Sequence, residues 1–385
     1  MSPVSPNRIR ENILRAFPEA AAIRGAAWIV GGAVRDALLE RDSIDIDIAA
    51  DGAEKVARDF AGRQGARLIE LGRERFVSWR VVLGRRSYDF ADVTRGSIQE
   101  DLGRRDFTIN AMALPIEGEA HLIDPFGGSG DIDRRLVRMV KAENLEDDPL
   151  RVLKAVRMVA VLGFEIESET ASACRTVVQR LRDVAAERLA TELELIFAGG
   201  DPARAADAFR ETGAARVLFG REIPPLYSRL AAGDAALALA AIFRSEPEPL
   251  REATAELRLP GALVGDASGV LAFDRNLEKA VTDEDLDVLL YQSGERVARR
   301  GAALRLAAED VRTASRVLDR IEQRGEHLFA IEPLLTGFEI AEIAGIPPGP
   351  ALGRLKEGLV LAQVRGEITT RDAAERWVRE RSDSA

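Results

Sequence analysis

Asp45 and Asp47 stand two positions apart in Ile44-Asp45-Ile46-Asp47-Ile48, a strict alternation of apolar and acidic residues. Strand side chains repeat every two residues, so this pattern predicts a strand with isoleucines on one face and both carboxylates on the other. Carboxylates paired in this way hold hard divalent cations, usually Mg2+, which can bridge a nucleoside triphosphate and an attacking hydroxyl. Upstream lies Gly31-Gly32-Ala33-Val34-Arg35-Asp36. Its glycines let backbone N–H groups approach a phosphate, the helix start beyond them carries partial positive charge, and Arg35 can neutralise a further phosphate oxygen. The combination predicts nucleotide binding at Gly31, Gly32 and Arg35, with Asp45 and Asp47 as metal ligands. A dinucleotide-binding turn would need G-x-G-x-x-G, and Val34 and Arg35 occupy its later positions.

Other chemistries are poorly supplied. Cys174 is the single cysteine, which excludes an internal disulfide and any multi-thiolate zinc site; it is expected to be a buried small hydrophobe. His121 and His327 are the two histidines, each followed by Leu, so histidine-rich metal chemistry is absent. The net charge of −10 argues against a surface that coats polyanions, so a nucleic-acid site must concentrate its positive charge locally. Basic clusters at Arg73/Arg75, Arg85/Arg86, Arg104/Arg105 and Arg134/Arg135/Arg138/Lys141 are candidates to line such a path. No apolar run approaches the ~20 residues that span a bilayer, and the first residues lack a signal-peptide core. A cytoplasmic protein without membrane contact is expected.

The elements that must position these residues follow from the pattern. Residues 8–24 read as an amphipathic opening helix, and Ala27-Trp28-Ile29-Val30 as a strand ending at the glycine pair, with a helix from Ala33 to Leu39 after it. Val77–Leu83 and Arg86–Val93 read as strands joined at Gly84-Arg85. After about Asp131 the strand signals stop, and from Pro149 onward helical spacing is broken only by Gly or Pro. The fold class is therefore α+β: a small mixed α/β head followed by an all-helical remainder. Joints are expected at Gly199-Gly200-Asp201-Pro202, at Ser245–Pro249 and before Leu334.

These residues resemble those of the class II tRNA nucleotidyltransferases and bacterial poly(A) polymerases. Arg104-Arg105-Asp106-Phe107-Thr108-Ile109-Asn110 looks like that family's second motif, whose Arg-Asp pair recognises the ribose of the incoming nucleotide, which implies that role for Arg105 and Asp106. A third carboxylate normally completes the metal site, and Tyr88-Asp89-Phe90-Ala91-Asp92 offers two candidates. Alternation places Asp89 opposite Tyr88 and Phe90 and puts Asp92 on their side, so Asp89 is preferred as a catalytic residue beside Asp45 and Asp47. Glu146-Asp147-Asp148-Pro149-Leu150-Arg151 is similar to the base-selecting motif, with Asp148 and Arg151 at its last positions and Asp147 where Glu is usual. An acceptor and a planar donor in fixed register can read the edges of C and A. Helical spacing groups Val152, Leu153, Val156, Val159 and Ala160 on one arc and sets Arg151, Lys154 and Arg157 opposite, free to meet phosphates. Asp148-Pro149 also has the form of a helix N-cap followed by proline at the first helical position. Glu187-Arg188-Leu189-Ala190-Thr191-Glu192 looks like the fifth motif, which braces the base-reading helix.

The resemblance implies a head over residues 1–143, a neck with the base-selecting motif over 144–200, a helical body over 201–333 and a tail over 334–385 that meets tRNA away from its acceptor end. It implies template-independent addition of CMP and AMP, from CTP and ATP with Mg2+, to the 3′ end of tRNA; DNA is not an expected partner. The rivals are a partial enzyme adding only CC or only the final A, a poly(A) polymerase, and a non-enzymatic RNA-binding module. A poly(A) polymerase would be expected to have a more basic C-terminal extension than Glu380–Ala385. The segment Glu70–Trp79, read as a loop, is where the partial enzymes differ.

Overall fold

The computed structural model describes residues 5–382 apart from 44, 74, 75, 94, 95 and 249. The first isoleucine of the alternation, Ile44, the basic-cluster residue Arg75 and the joint residue Pro249 lie outside the described residues. The chain divides into two compact units, Met1–Glu222 and Ile223–Ala385.

The first unit is built on a six-stranded sheet: β1 (Ala27–Val30), β2 (Asp45–Ala50), β3 (Leu68–Arg73), β4 (Phe76–Leu83), β5 (Arg86–Asp92) and β6 (Ala113–Pro115). Their spatial order is β3-β4-β5-β2-β1-β6, with β2 and β5 parallel and every other pair antiparallel. Burial follows the alternation in β2, where Ile46 and Ile48 are buried and Asp45 and Asp47 open to solvent. On the isoleucine side, α1 (Pro6–Ala16) and α3 (Ala53–Gln64) belong to an aromatic core, with Phe60 5.0 Å from Tyr88 and 5.6 Å from Phe90, and Phe17 5.8 Å from Tyr88. On the aspartate side, α4 (Ile98–Leu102) packs with Val30, Ala49, Ala111 and Ala113 and leaves the rest of that face open.

Helix α2 (Gly32–Leu38) follows β1 directly, as the glycine pair predicts. Beyond the sheet come α5 (Gly128–Arg134), α6 (Ala142–Asp147), α7 (Arg151–Leu162), α8 (Ser168–Val177) and α9 (Ala186–Gly199). The apolar arc read from α7 is buried, and α7 packs on α9. Asp201 caps the next helix, Pro202–Thr212, by accepting from the backbone N–H groups of Ala203 and Arg204; that helix packs on α7 within the first unit, and the division into units falls after Glu222 rather than at the glycine-proline stretch.

Three local readings are corrected. Within Glu70–Trp79, read as a loop, Glu70–Arg73 and Phe76–Trp79 are strand, with Glu70 and Trp79 as register partners in the β3–β4 pair. Strand signals do not stop at Asp131, because Leu136–Val137 pairs in parallel with Glu165–Ile166; two residues per strand are too few to show alternation. Asp148 is not the N-cap of α7 but stands at the C-terminal end of α6. The described residues of the second unit form helices joined by loops with no strand among them, and Leu335, Ile340, Leu355, Leu359, Ala374 and Val378 share one apolar cluster within it. Cys174 is buried, and burial pushes its thiol up to about 12, as suits a small hydrophobe.

Candidate active site

A cleft of about 700 Å³ opens at the C-terminal end of β1 and over the aspartate face of β2. It is lined by Gly31, Gly32, Arg35, Asp45, Asp47, Asp89, Arg105, Asp106, Arg151, Lys154 and Arg157, which is every residue expected from the sequence to bind metal or nucleotide except Asp148. One sheet, one turn and one helix start bring together positions spread over more than a hundred residues.

The carboxylates form a row set by strand register. Asp47 faces Val30 on one side and Asp89 on the other, and Asp89 in turn faces Arg80. Asp45 accepts a short hydrogen bond from the Ser87 hydroxyl. Asp47 touches solvent in the cleft yet sits on its floor. Burial there, joined by the charges of Asp89 and Asp45, pushes its carboxyl above the ordinary value against the pull of Arg105. Mutually repelling all-oxygen donors of this kind suit a hard divalent cation. Among the described residues, no three His, Cys, Asp or Glu side chains already converge in ligating geometry. The Arg80 guanidinium engages one of the row, its Nε and Nη2 donating to both oxygens of Asp89 at 2.7 Å. Asp92 is elsewhere: its Oδ1 accepts from the Ala53 N–H at 2.7 Å and caps α3 on the opposite face.

Gly31 forms the turn at φ +72°, a conformation that side chains disfavour, and a Cβ there would stand 2.9 Å from Arg105 Nη1 and 3.3 Å from Asp47 Oδ2. Arg35, read from the sequence as a phosphate ligand, is held within the protein. Its Nε and Nη2 donate to Asp36 at 2.9 and 3.0 Å, and its Nη1 donates to Asn110 Oδ1 at 2.7 Å. Asn110 passes the connection on, donating from Nδ2 to Asp106 Oδ1 at 3.0 Å. Asp106 also accepts from the Phe107 N–H at 2.7 Å and lies 3.9 Å from Lys154 Nζ. Burial alone would raise the Asp106 carboxyl, but Lys154, Asn110, the Phe107 N–H and Arg151 outweigh it and hold it below its ordinary value.

Helix α7 begins at Arg151 with Leu150 at its N-cap position and no side-chain cap. Asp148 is extended, the conformation a following proline imposes, and one turn separates it from the helix. Its Oδ2 accepts from Arg188 Nη2 at 2.8 Å, while Oδ1 is buried with no partner. Arg151 donates from Nη2 to the Arg104 carbonyl at 2.8 Å, while Nη1 is likewise buried with no partner. Glu192 accepts from Arg157 Nε at 2.8 Å. Arg188 and Glu192 on α9 thus hold one residue each of the α6–α7 region rather than each other. The basic face of α7 is not wholly free, since Arg157 is anchored to α9 and Lys154 leans on Asp106.

Three residues in the site carry work that the sequence did not reveal. Asn110 bridges Arg35 to Asp106, Asn144 donates to the carbonyls of Gly103 and Arg105 and so fixes the Arg104-Arg105 turn, and Arg80 holds Asp89. Only Asn110 left a signal, four positions after Asp106. Among the basic clusters, Arg86 pairs with Glu19 and Arg138 grips the buried Asp131, which gives both a structural task.

Residues 27–138 match, in two overlapping segments (27–96 and 73–138), a family described as the poly A polymerase head domain, and residues 163–226 match one described as a probable RNA and SrmB-binding site of polymerase A. Over 91% of this chain and 91% of its counterpart, the sequence is 32% identical to a CC-adding tRNA nucleotidyltransferase of Geobacter sulfurreducens. This chain belongs to the CCA-adding tRNA nucleotidyltransferase family. An A-adding tRNA nucleotidyltransferase of Deinococcus radiodurans is 31% identical over 95% of this chain and 98% of its own length. The crystal structure of the Bacillus stearothermophilus CCA-adding enzyme in complex with CTP superposes with a TM-score of 0.75 at 27% identity, covering 98% of both chains. Members named for CC, A and CCA addition are thus similar to this nucleotidyltransferase to nearly the same degree.

Proposed function

We propose that this chain adds CMP and AMP, drawn from CTP and ATP, to the 3′ end of tRNA without a nucleic-acid template. The observation that carries this reading is the pair of partnerless buried atoms, Asp148 Oδ1 and Arg151 Nη1. Buried polar atoms are nearly always hydrogen-bonded, so an acceptor and a donor left without partners three residues apart, the donor on a residue that lines the cleft, call for a ligand that supplies both. The edge of a nucleobase does so, and Asp148 and Arg151 read it in place of a template strand.

In this reading Asp45 and Asp47 hold Mg2+, which when bound stabilises the charge that develops on the transferring phosphoryl group. Asp89 completes the acidic row. The Gly31-Gly32 turn lets the triphosphate approach the backbone, and Arg105 and Asp106 hold the ribose. The acceptor 3′-oxygen bonds to the α-phosphorus while the bond to the β-phosphate oxygen breaks; pyrophosphate leaves, and the hydroxyl proton passes to water. No histidine or cysteine takes part. The cytoplasm is the site we assign, and among the described residues no helix is long and apolar enough to cross a membrane.

The test uses labelled CTP and ATP with three tRNAs: one ending before the first C, one after the second C and one with the full CCA. Addition to the first two defines a full CCA-adding enzyme, and addition to one alone defines a CC-adding or A-adding enzyme. Repeated AMP addition to the third defines a poly(A) polymerase. No incorporation into any RNA would leave only a binding module.

A further inference from the structure

A second cleft, of about 310 Å³, reaches the same carboxylates from the other side. Asp47, Asp89, Asp101 and Arg105 line both clefts, and the Arg105–Asp101 ion pair, Nη2 to Oδ2 at 3.2 Å, stands where they meet. The second cleft contains neither the glycine turn nor Asp106 or Arg151. Its own walls are Ser78 and Arg80 on β4 and Ala91 on β5. Strand register arranges its floor in two rows, Arg80-Asp89-Asp47 and Ser78-Ala91-Ala49. The second row is made of the smallest side chains, which leaves depth over the sheet beside the carboxylates. The first row ends in a guanidinium whose side chain is 41% exposed and whose hydrogen bonds, among the described residues, go to Asp89.

Nucleotidyl transfer needs two substrates at one phosphorus, so the acceptor hydroxyl must reach Asp47 and Asp89 from a side that the triphosphate leaves free. We infer that the second cleft seats the terminal ribose of the acceptor RNA strand, hydroxyl towards Asp47 and Asp89, with Arg80 and Ser78 positioning the phosphate on its 5′ side. A guanidinium is suited to this because its planar fork of donors matches phosphate as well as carboxylate. Arg80 thus keeps Asp89 in place while the cleft is empty and turns to the RNA phosphate when the strand enters. The inference rests on the proposed transfer reaction.

The test is steady-state kinetics of CMP addition to a tRNA lacking CCA, with tRNA and CTP varied separately, for the wild type, Arg80→Ala, Arg80→Lys and Ala91→Met. Circular dichroism and thermal melts check that each variant is folded. Arg80→Ala should raise the KM for tRNA by roughly tenfold to a hundredfold, the loss of one charge-assisted hydrogen bond or two, and leave the KM for CTP within about twofold. Arg80→Lys should recover part of that rise. Ala91→Met, which fills the floor without touching charge, should raise the KM for tRNA alone, and it decides the matter if Arg80→Ala fails to fold. A fall in kcat with both KM values unchanged would mean that Arg80 only holds Asp89. A rise in the KM for CTP equal to that for tRNA would assign the cleft to the nucleotide. Either result overturns the inference. Failure of the wild type to extend any tRNA would instead sink the transfer reaction on which it rests.

Discussion

Asp148 and Arg151 each present one satisfied and one partnerless polar atom, and that asymmetry turns base selection into a measurable property. Asp148→Ala and Arg151→Ala should blur discrimination among CTP, ATP, UTP and GTP while slowing addition. Because the Asp148 side chain N-caps no helix, its loss should lower the melting temperature little, so that selectivity falls without the stability cost of a lost N-cap, about 0.5–2 kcal/mol. Intact selectivity in either variant would refute the base-reading assignment. Asp89 and Asp92 offer a second contrast at this scale. Asp89→Ala should cut turnover by more than tenfold with a modest change in melt, since it removes a carboxylate from the acidic row. Asp92→Ala should do the reverse, destabilising α3 by about 0.5–2 kcal/mol and sparing kcat, because its oxygen serves the Ala53 N–H. The opposite ranking would make Asp92 the third acid. That Asp89 and Asp92 lie on opposite faces of β5 was legible from alternation. The fate of Arg35 and of the Asp148 side chain was not, because both are decided by partners distant in sequence, Asn110 and Arg188, that no local pattern reveals.

The β1–turn–α2 element and the β2 strand were legible because each writes its geometry into consecutive residues: an apolar run, two glycines, then a period of two. The β3 and β6 strands were not. In β3, Leu68-Ile69-Glu70-Leu71-Gly72-Arg73 breaks alternation and carries a glycine, and β6 spans only Ala113–Pro115, so both owe their state to the neighbours they pair with. The turn between β1 and α2 carries the prediction that belongs to this scale. Gly31→Ala places a Cβ at φ +72° and 2.9 Å from the Arg105 guanidinium. The backbone term costs about 1 kcal/mol, a small part of a domain's stability, whereas displacing Arg105 disturbs the cleft itself. The variant should therefore stay folded near 25 °C and lose CTP affinity, read as a KM for CTP raised by about tenfold or more; a melt shifted strongly with normal KM would show that the glycine serves the fold alone.

At the scale of the whole molecule, an RNA substrate meets a chain of net charge −10. Long-range attraction cannot gather tRNA, and several arginines that looked available to it are engaged: Arg86 with Glu19, Arg138 with Asp131 and Arg157 with Glu192. Binding must then rest on short-range contacts at local cationic spots, made in competition with a general repulsion that salt screens within about 10 Å at 0.1 M. These two influences have opposite signs in a salt titration. Phosphate contacts release counterions and weaken as salt rises, whereas screening of the repulsion favours approach. Contacts at hydrogen-bond distance dominate once the strand is seated, so the KM for tRNA should rise with KCl between about 0.05 and 0.2 M, but by far less than the roughly thousandfold loss shown by proteins that neutralise many phosphates. The KM for CTP, whose charge is met inside the cleft, should move less than that for tRNA. Steady-state titrations at fixed Mg2+ read both. A KM for tRNA that falls throughout this range would mean that global repulsion governs recognition, and a thousandfold rise would mean that many phosphates are neutralised at once by an extended basic surface.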